Sequence, residues 1–187
     1  WFQKLYDQHN ESGRYYHTMV HLWEMFQLLD ILSSSIESSS TTPASSSSYY
    51  IPMAWAIFFH DVVYDPKSNQ NEKDKKPLGE EDDDDDNDND EIEFILQMQQ
   101  YFLDIDMTVL GKRQNAYLQY ASLIRKEFAF VPRDVYCTKR AEILETFLGD
   151  GNKKHIYLTK TFQEAFEERA RSNLREEINL LRKNIIP

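Results

Sequence analysis

Between Ile51 and Asp65 the chain reads IPMAWAIFFHDVVYD, and every residue from Met53 to Phe59 is apolar. A helix that is apolar all round belongs in the middle of a domain rather than on its surface. Two adjacent ionisable residues, His60 and Asp61, interrupt the run near its C-terminal end. Burying a carboxylate and an imidazole costs several kcal/mol unless they are paired. The partners that chemistry offers are each other, a basic group or a metal ion. Asp65-Pro66 ends the segment, because proline disfavours helix at the residue before it.

The remaining sequence predicts helices around this one. Trp1 to Gly13 reads as a short helix and a turn. A long amphipathic helix over 15–32 follows, with Leu22, Met25, Phe26, Leu29 and Leu32 on one face. His17 and His21, four apart, point at or near the same core. Residues 33–48 are rich in serine and 67–91 are polar and acidic, and both are expected to be disordered loops. From Ile92 the residues Ile92, Ile95, Leu96, Gln99 and Leu103 line one helical face, and Gly111 closes that element as a C-terminal glycine. Further helices are expected over 114–128, 132–148 and 161–183. Pro132 suits a first turn, and Thr161 with Glu164 has capping-box spacing. No alternating strand pattern occurs, so the fold class is all-α, one domain over 1–187 with two low-complexity insertions.

The charge is concentrated. Glu80 to Glu93 holds eleven acidic residues and no Lys or Arg, which equals the whole formal net charge of −11. The remainder is balanced and lacks the basic footprint of a nucleic-acid-binding surface, so long nucleic acid is not an expected partner. No run of eighteen apolar residues suggests a membrane span. Cys137 is the only cysteine. That fits a reducing, cytoplasmic compartment, with the nucleus also open, and the Ser and Asp runs suggest a eukaryotic chain. Eleven tyrosines and eleven phenylalanines suit a core or an interface equally well, so an oligomer is possible but unsupported by the sequence.

Three mostly apolar helices thus each carry imidazole or carboxylate: His17 with His21, His60 with Asp61, and Asp104 with Asp106. Such donors on separate helices of a bundle suit Zn, Fe, Mn, Ni, Co or Mg. Singly, each has a plainer reading, as a satisfied core histidine or, for Asp104, a helix cap or a partner of Arg125.

The blocks RYYHTMVH (14–21), FFHDVVYDP (58–66), NE (71–72), YFLDIDMTVLG (101–111), YLQYASLIRKEF (117–128), RAEILETFL (140–148), IYLTKTF (156–162) and ARSNLREEI (170–178) resemble the HD superfamily of predicted metal-dependent phosphohydrolases. Its signature is H…HD…D across a helical bundle. The resemblance implies metal ligands His17, His60, Asp61 and Asp106. Asp104 stands as the alternative closing aspartate, and His21 as a residue that orients a ligand or touches substrate. No His lies between His60 and His155, where related sequences place second-metal ligands, so one divalent ion is implied.

The activity implied is hydrolysis of a small phosphorylated molecule, with a nucleotide as the leading class, by metal-activated water. Arg14, Arg125 and Arg140 are candidate phosphate clamps, though each equally suits a salt bridge. Glu72 or an unliganded Asp104 would handle protons. The alternative is a non-catalytic metal- or nucleotide-binding module, suggested by the rewritten stretch between Asn71 and Tyr101. A di-metal oxygenase on the same scaffold needs a further His/carboxylate set that the sequence lacks.

Overall fold

The computed structural model describes residues 2–39, 46–64, 88–149 and 155–186. Among them the chain is all-α: α1 (Phe2–His9), α2 (Met19–Ser39), α3 (Ser46–Phe59), α4 (Asp88–Met107), a 3-10 turn (Thr108–Gly111), α5 (Gln114–Glu127), α6 (Arg133–Leu148) and α7 (Lys160–Arg182). Helices α2 and α3 pack as one pair and α6 and α7 as another, with the 3-10 turn wedged against α7.

The buried face of α2 follows the three-and-four spacing of its apolar residues. Leu22, Met25, Leu29 and Leu32 are buried against Met53 and Ile57 of α3 and Ile105 of α4. Each such side chain contributes roughly 1.5–3 kcal/mol relative to exposure. The same core runs on through Tyr117, Ala141, Leu144, Phe162, Ala170, Leu174 and Leu181.

Several boundaries and faces differ from expectation. Helix α2 continues to Ser39, and Ser34 and Ser35 give their hydroxyls to the Asp30 and Ile31 carbonyls one turn back, so part of the serine-rich stretch is helical. Helix α4 already begins at Asp88, inside the stretch expected to be acidic loop. Positions 46–48 open α3, and the rest of those two stretches, 40–45 and 67–87, lies outside the described residues with Asp65-Pro66.

Helix α3 is not buried all round. Met53 and Ile57 face α2, whereas Ile51, Trp55 and Phe59 are exposed. On α4 the expected face is the outer one: Ile92, Ile95, Leu96 and Leu103 are exposed, and Ile105 is the residue sealed in the core. An apolar run wider than one stripe does not reveal which side finds a partner. Helix α7 starts two residues after Leu158, with Thr159 rather than Thr161 at its N-cap.

Gly111 is required by proximity, not by left-handed backbone. A Cβ built on it would lie 2.6 Å from Phe166 Cβ and 2.9 Å from the Phe166 carbonyl oxygen and the Tyr157 hydroxyl. Substituting Gly111→Ala must push α7 off the 3-10 turn. The expected cost is about 1–3 kcal/mol, measured as a lowered urea midpoint.

Candidate metal centre

Helix α3 stops at Phe59, and the chain turns through His60 and Asp61 into Val62. The His60 amide still reaches the Ala56 carbonyl at 3.0 Å, and the Val62 amide reaches the Phe59 carbonyl at 3.3 Å. The next carbonyls are taken by one side chain. Arg14 donates to the Asp61 carbonyl at 2.6 Å and the Val62 carbonyl at 3.2 Å, and its third contact is the His17 carbonyl at 3.4 Å. A cation on the terminal carbonyls of a helix is favourable in charge as well as geometry. Because His60 and Asp61 lie in a turn, adjacent side chains can face one point.

That point is also reached from α2 and α4. Asp61 Oδ2 lies 3.0 Å from His60 Nε2 and 3.9 Å from His21 Nε2. Asp106 Oδ1 lies 3.1 Å from His21 Nε2 and 3.8 Å from His60 Nε2. One donor atom each from His21, His60 and Asp61 falls within 4.8 Å of the others. Ligand atoms about 2.0–2.2 Å from a shared ion sit roughly 3–3.6 Å apart, so little movement would be needed.

The tautomer favours coordination. His60 Nδ1 lies 2.9 Å from the Ile57 carbonyl, an acceptor only, so Nδ1 carries the proton. Its Nε2 then presents a lone pair to the cluster. That atom is buried and makes no well-directed hydrogen bond. Two imidazoles and two carboxylates with one such orphaned nitrogen fit a divalent ion chemically.

The electrostatics agree. Burial pushes the Asp61 carboxyl up, but the His60 imidazole 3.0 Å away and the charges of His17 and His21 outweigh it and hold Asp61 well below the usual range. Asp106 is likewise held down against burial by the His21 hydrogen bond and the charges of His21 and His60. In return, Asp61 raises His60 against the effect of burial.

His17 and His21 have the reverse of their expected placements. Helix α2 begins at Met19, so His17 precedes it and the four-residue spacing does not align the rings. His21 faces the cluster, whereas His17 Nδ1 donates to Glu127 Oε2 at 2.7 Å. Glu127 Oε1 accepts the backbone N–H groups of Tyr15, Tyr16 and His17 at 2.8, 2.7 and 3.1 Å, and Tyr64 donates to Oε2 at 3.1 Å. Burial raises the Glu127 carboxyl, yet His17 and these amides bring it down to about 2. An acid on the apolar face of α5, three residues after Ile124, was the available signal, and sequence reasoning passed over it. It passed over His9 as well: a fully buried ring whose pKa burial and Arg14 push down.

Asp104 does not join the cluster. Residues two apart on an α-helix point about 200° apart, so Asp104 and Asp106 face opposite sides of α4. Asp104 accepts the Leu158 amide at 2.7 Å and the Thr159 amide and hydroxyl at 2.8 and 2.6 Å, anchoring the entry to α7. Nor are the three arginines free for phosphate. Arg14 is spent on the Asp61 turn; Arg125 donates to the Phe128 and Val131 carbonyls at 2.6 and 3.1 Å; Arg140 pairs with buried Glu177 at 3.0 Å. Glu72 lies outside the described residues. A cavity of about 250 Å³ borders the centre, lined by His21, Tyr16, Tyr120, Gln119 and Lys112 among others.

The two aspartates of α4 should separate experimentally. Asp104→Asn is expected to cost about 2–4 kcal/mol in chemical denaturation while metal stoichiometry stays at wild type. Asp106→Asn should lower metal affinity at little cost to stability. The Glu127 carboxyl sits lower in the fold than its ordinary 4.5, so it stabilises above that pH and its contribution drains away as pH falls toward 2. Glu127→Gln should therefore be less stable at pH 7 and lose stability less steeply over that acid window, read from melting temperatures.

No family model, curated protein or solved structure matches the chain.

Proposed function

We propose that the chain is a metal-dependent phosphohydrolase of the HD type acting on a small phosphorylated molecule. The observation that carries it is the convergence of His21, His60 and Asp61, with Asp106 in hydrogen-bond contact, from three separate segments. The order of those four donors along the chain is H…HD…D, with His21 in the first place.

A divalent ion held by these residues would supply a water of lowered pKa and polarise a phosphoryl oxygen. The residues around it have their own parts. Asp61 and Asp106, both held ionised, offset the ion's charge, and the Ile57 carbonyl keeps His60 in the tautomer that presents Nε2. Arg14 sets the turn carrying His60 and Asp61 against the segment carrying His17.

His17 is the proton-handling group in this scheme. With Nδ1–H directed to Glu127, its Nε2 is the nitrogen that would receive or return a proton at the leaving oxygen. The 250 Å³ cavity beside His21, with tyrosine walls and the Lys112–Glu24 ion pair at 2.7 Å, supports a substrate of small size rather than a polymer.

His60→Ala and Asp61→Ala should each abolish metal retention and turnover, measured by elemental analysis and by a phosphate-release assay with Mn, Fe, Co, Ni, Zn and Mg. His17→Ala should keep its metal and lose roughly 10²–10⁴-fold in rate, the span of general acid–base catalysis. Metal stoichiometry that survives both alanine changes at 60 and 61 would place the site elsewhere. Bound metal without turnover on any phosphoester would favour the non-catalytic binding module.

A further inference from the structure

The outer side of α3 carries no charged residue from Ser46 to Phe59. Ile51, Trp55 and Phe59, four residues apart, form an exposed ridge along it, with the Trp55 and Phe59 rings stacked at 5.7 Å. An apolar hollow lies on each side of this ridge. Between α1 and α3 is a cavity of about 430 Å³ walled by Phe2, Leu5, Trp55, Phe58 and Phe59. Between α3 and α4 is one of about 170 Å³, whose walls include Pro52, Ala56, Ile95, Met98 and Phe102.

Phe2, Trp55 and Phe59 are 66%, 58% and 42% exposed, and at roughly 150–250 Å² per aromatic side chain they offer about 250–400 Å² between them. Ile51, Pro52, Ala56 and Ile95 extend the face toward the ~800 Å² per partner of a standard interface. A contiguous patch of this size matches the largest, often functional, patch of a typical monomer.

The composition of the chain narrows the occupant. The serine-rich run before α3 and the acidic run after it have almost no apolar side chains with which to cover such a face. The face itself has no charge to select a charged partner. A ridge flanked by hollows is self-complementary: rotated by a two-fold axis, the ridge of one copy lies in the hollow of the other.

We infer that the chain forms a two-fold dimer through the outer face of α3, with Trp55 and Phe59 of each copy seated in the other's apolar grooves. Both copies carry the same net negative charge, so association should tighten as salt screens their repulsion.

Sedimentation equilibrium of the full chain at concentrations up to roughly 100 µM, where an interface of standard size is well populated, should give twice the chain mass. Trp55→Glu and Phe59→Glu should each raise the dimer dissociation constant by roughly 30-fold or more, with helix content by circular dichroism unchanged. Ala56→Arg, which removes no packing inside the protomer, gives a second test should either acidic variant fold poorly. Ile143→Glu, at an exposed position of α6 away from these grooves, should remain dimeric. A wild-type chain that stays monomeric over the whole range overturns the proposal. So does a dimer indifferent to substitutions at 55, 56 and 59, or one that loosens as salt is raised.

Discussion

The Glu127 carboxylate gathers three consecutive backbone amides, one imidazole and one phenol from segments 63 to 112 residues away in sequence. Left without them, a buried anion at the end of α5 would cost several kcal/mol. With them, it fixes the approach to α2 before that helix begins, and so determines which histidine enters the helix and which stays outside. The direction of His21 into the cluster and of His17 Nδ1 onto Glu127 follows from this contact. Tyr64, donating to the same carboxylate, draws in the far side of the turn that carries His60 and Asp61. The geometry of the centre is therefore inherited from an acid that is not part of it.

Buried charge in the molecule is divided by neighbourhood. Asp104, Glu127 and Glu177 have their oxygens filled by amides, hydroxyls or arginine, and serve as struts between elements. Asp61 and Asp106 face imidazoles whose nitrogens are lone-pair donors or weak acids, and that alone leaves room for a cation. The arginines follow the same logic. Arg14 and Arg125 take backbone carbonyls just past helix ends, where each removes orphaned groups, and Arg140 pairs with Glu177 between α6 and α7. Of these three, Arg14 is the one that stands beside the cluster, and it is held on the Asp61 and Val62 carbonyls rather than on the donor atoms.

Much of this was legible in the sequence, and the rest was hidden for identifiable reasons. Leu22, Met25, Leu29 and Leu32 carry a clear helical period, so α2 and its buried face could be read directly. The aspartate pair was also readable in principle, because two residues apart on a helix means opposite sides, and only one of Asp104 and Asp106 can look at His21. The start of α2 was not, because a carboxylate 110 residues away decides it. The faces of α3 and α4 were ambiguous because both helices are apolar on more than one side. Periodicity says nothing when the outer stripe is as greasy as the inner one. Glu127 and His9 each sat on a readable apolar face, but a lone polar residue there gives no hint of its partner.

The ties at the centre have a polymer consequence. The contact of residue 14 with 61 closes a loop around the serine-rich run, and that of residue 21 with 106 closes one around both runs. Ring-closure entropy grows only with the logarithm of length, so doubling a flexible loop adds about 0.6 kcal/mol. Both runs can therefore lengthen, shorten or change composition between one variant and the next while the four donor atoms keep their spacing. Drift in such spacers is cheap, and a centre assembled from knots between them is insulated from it.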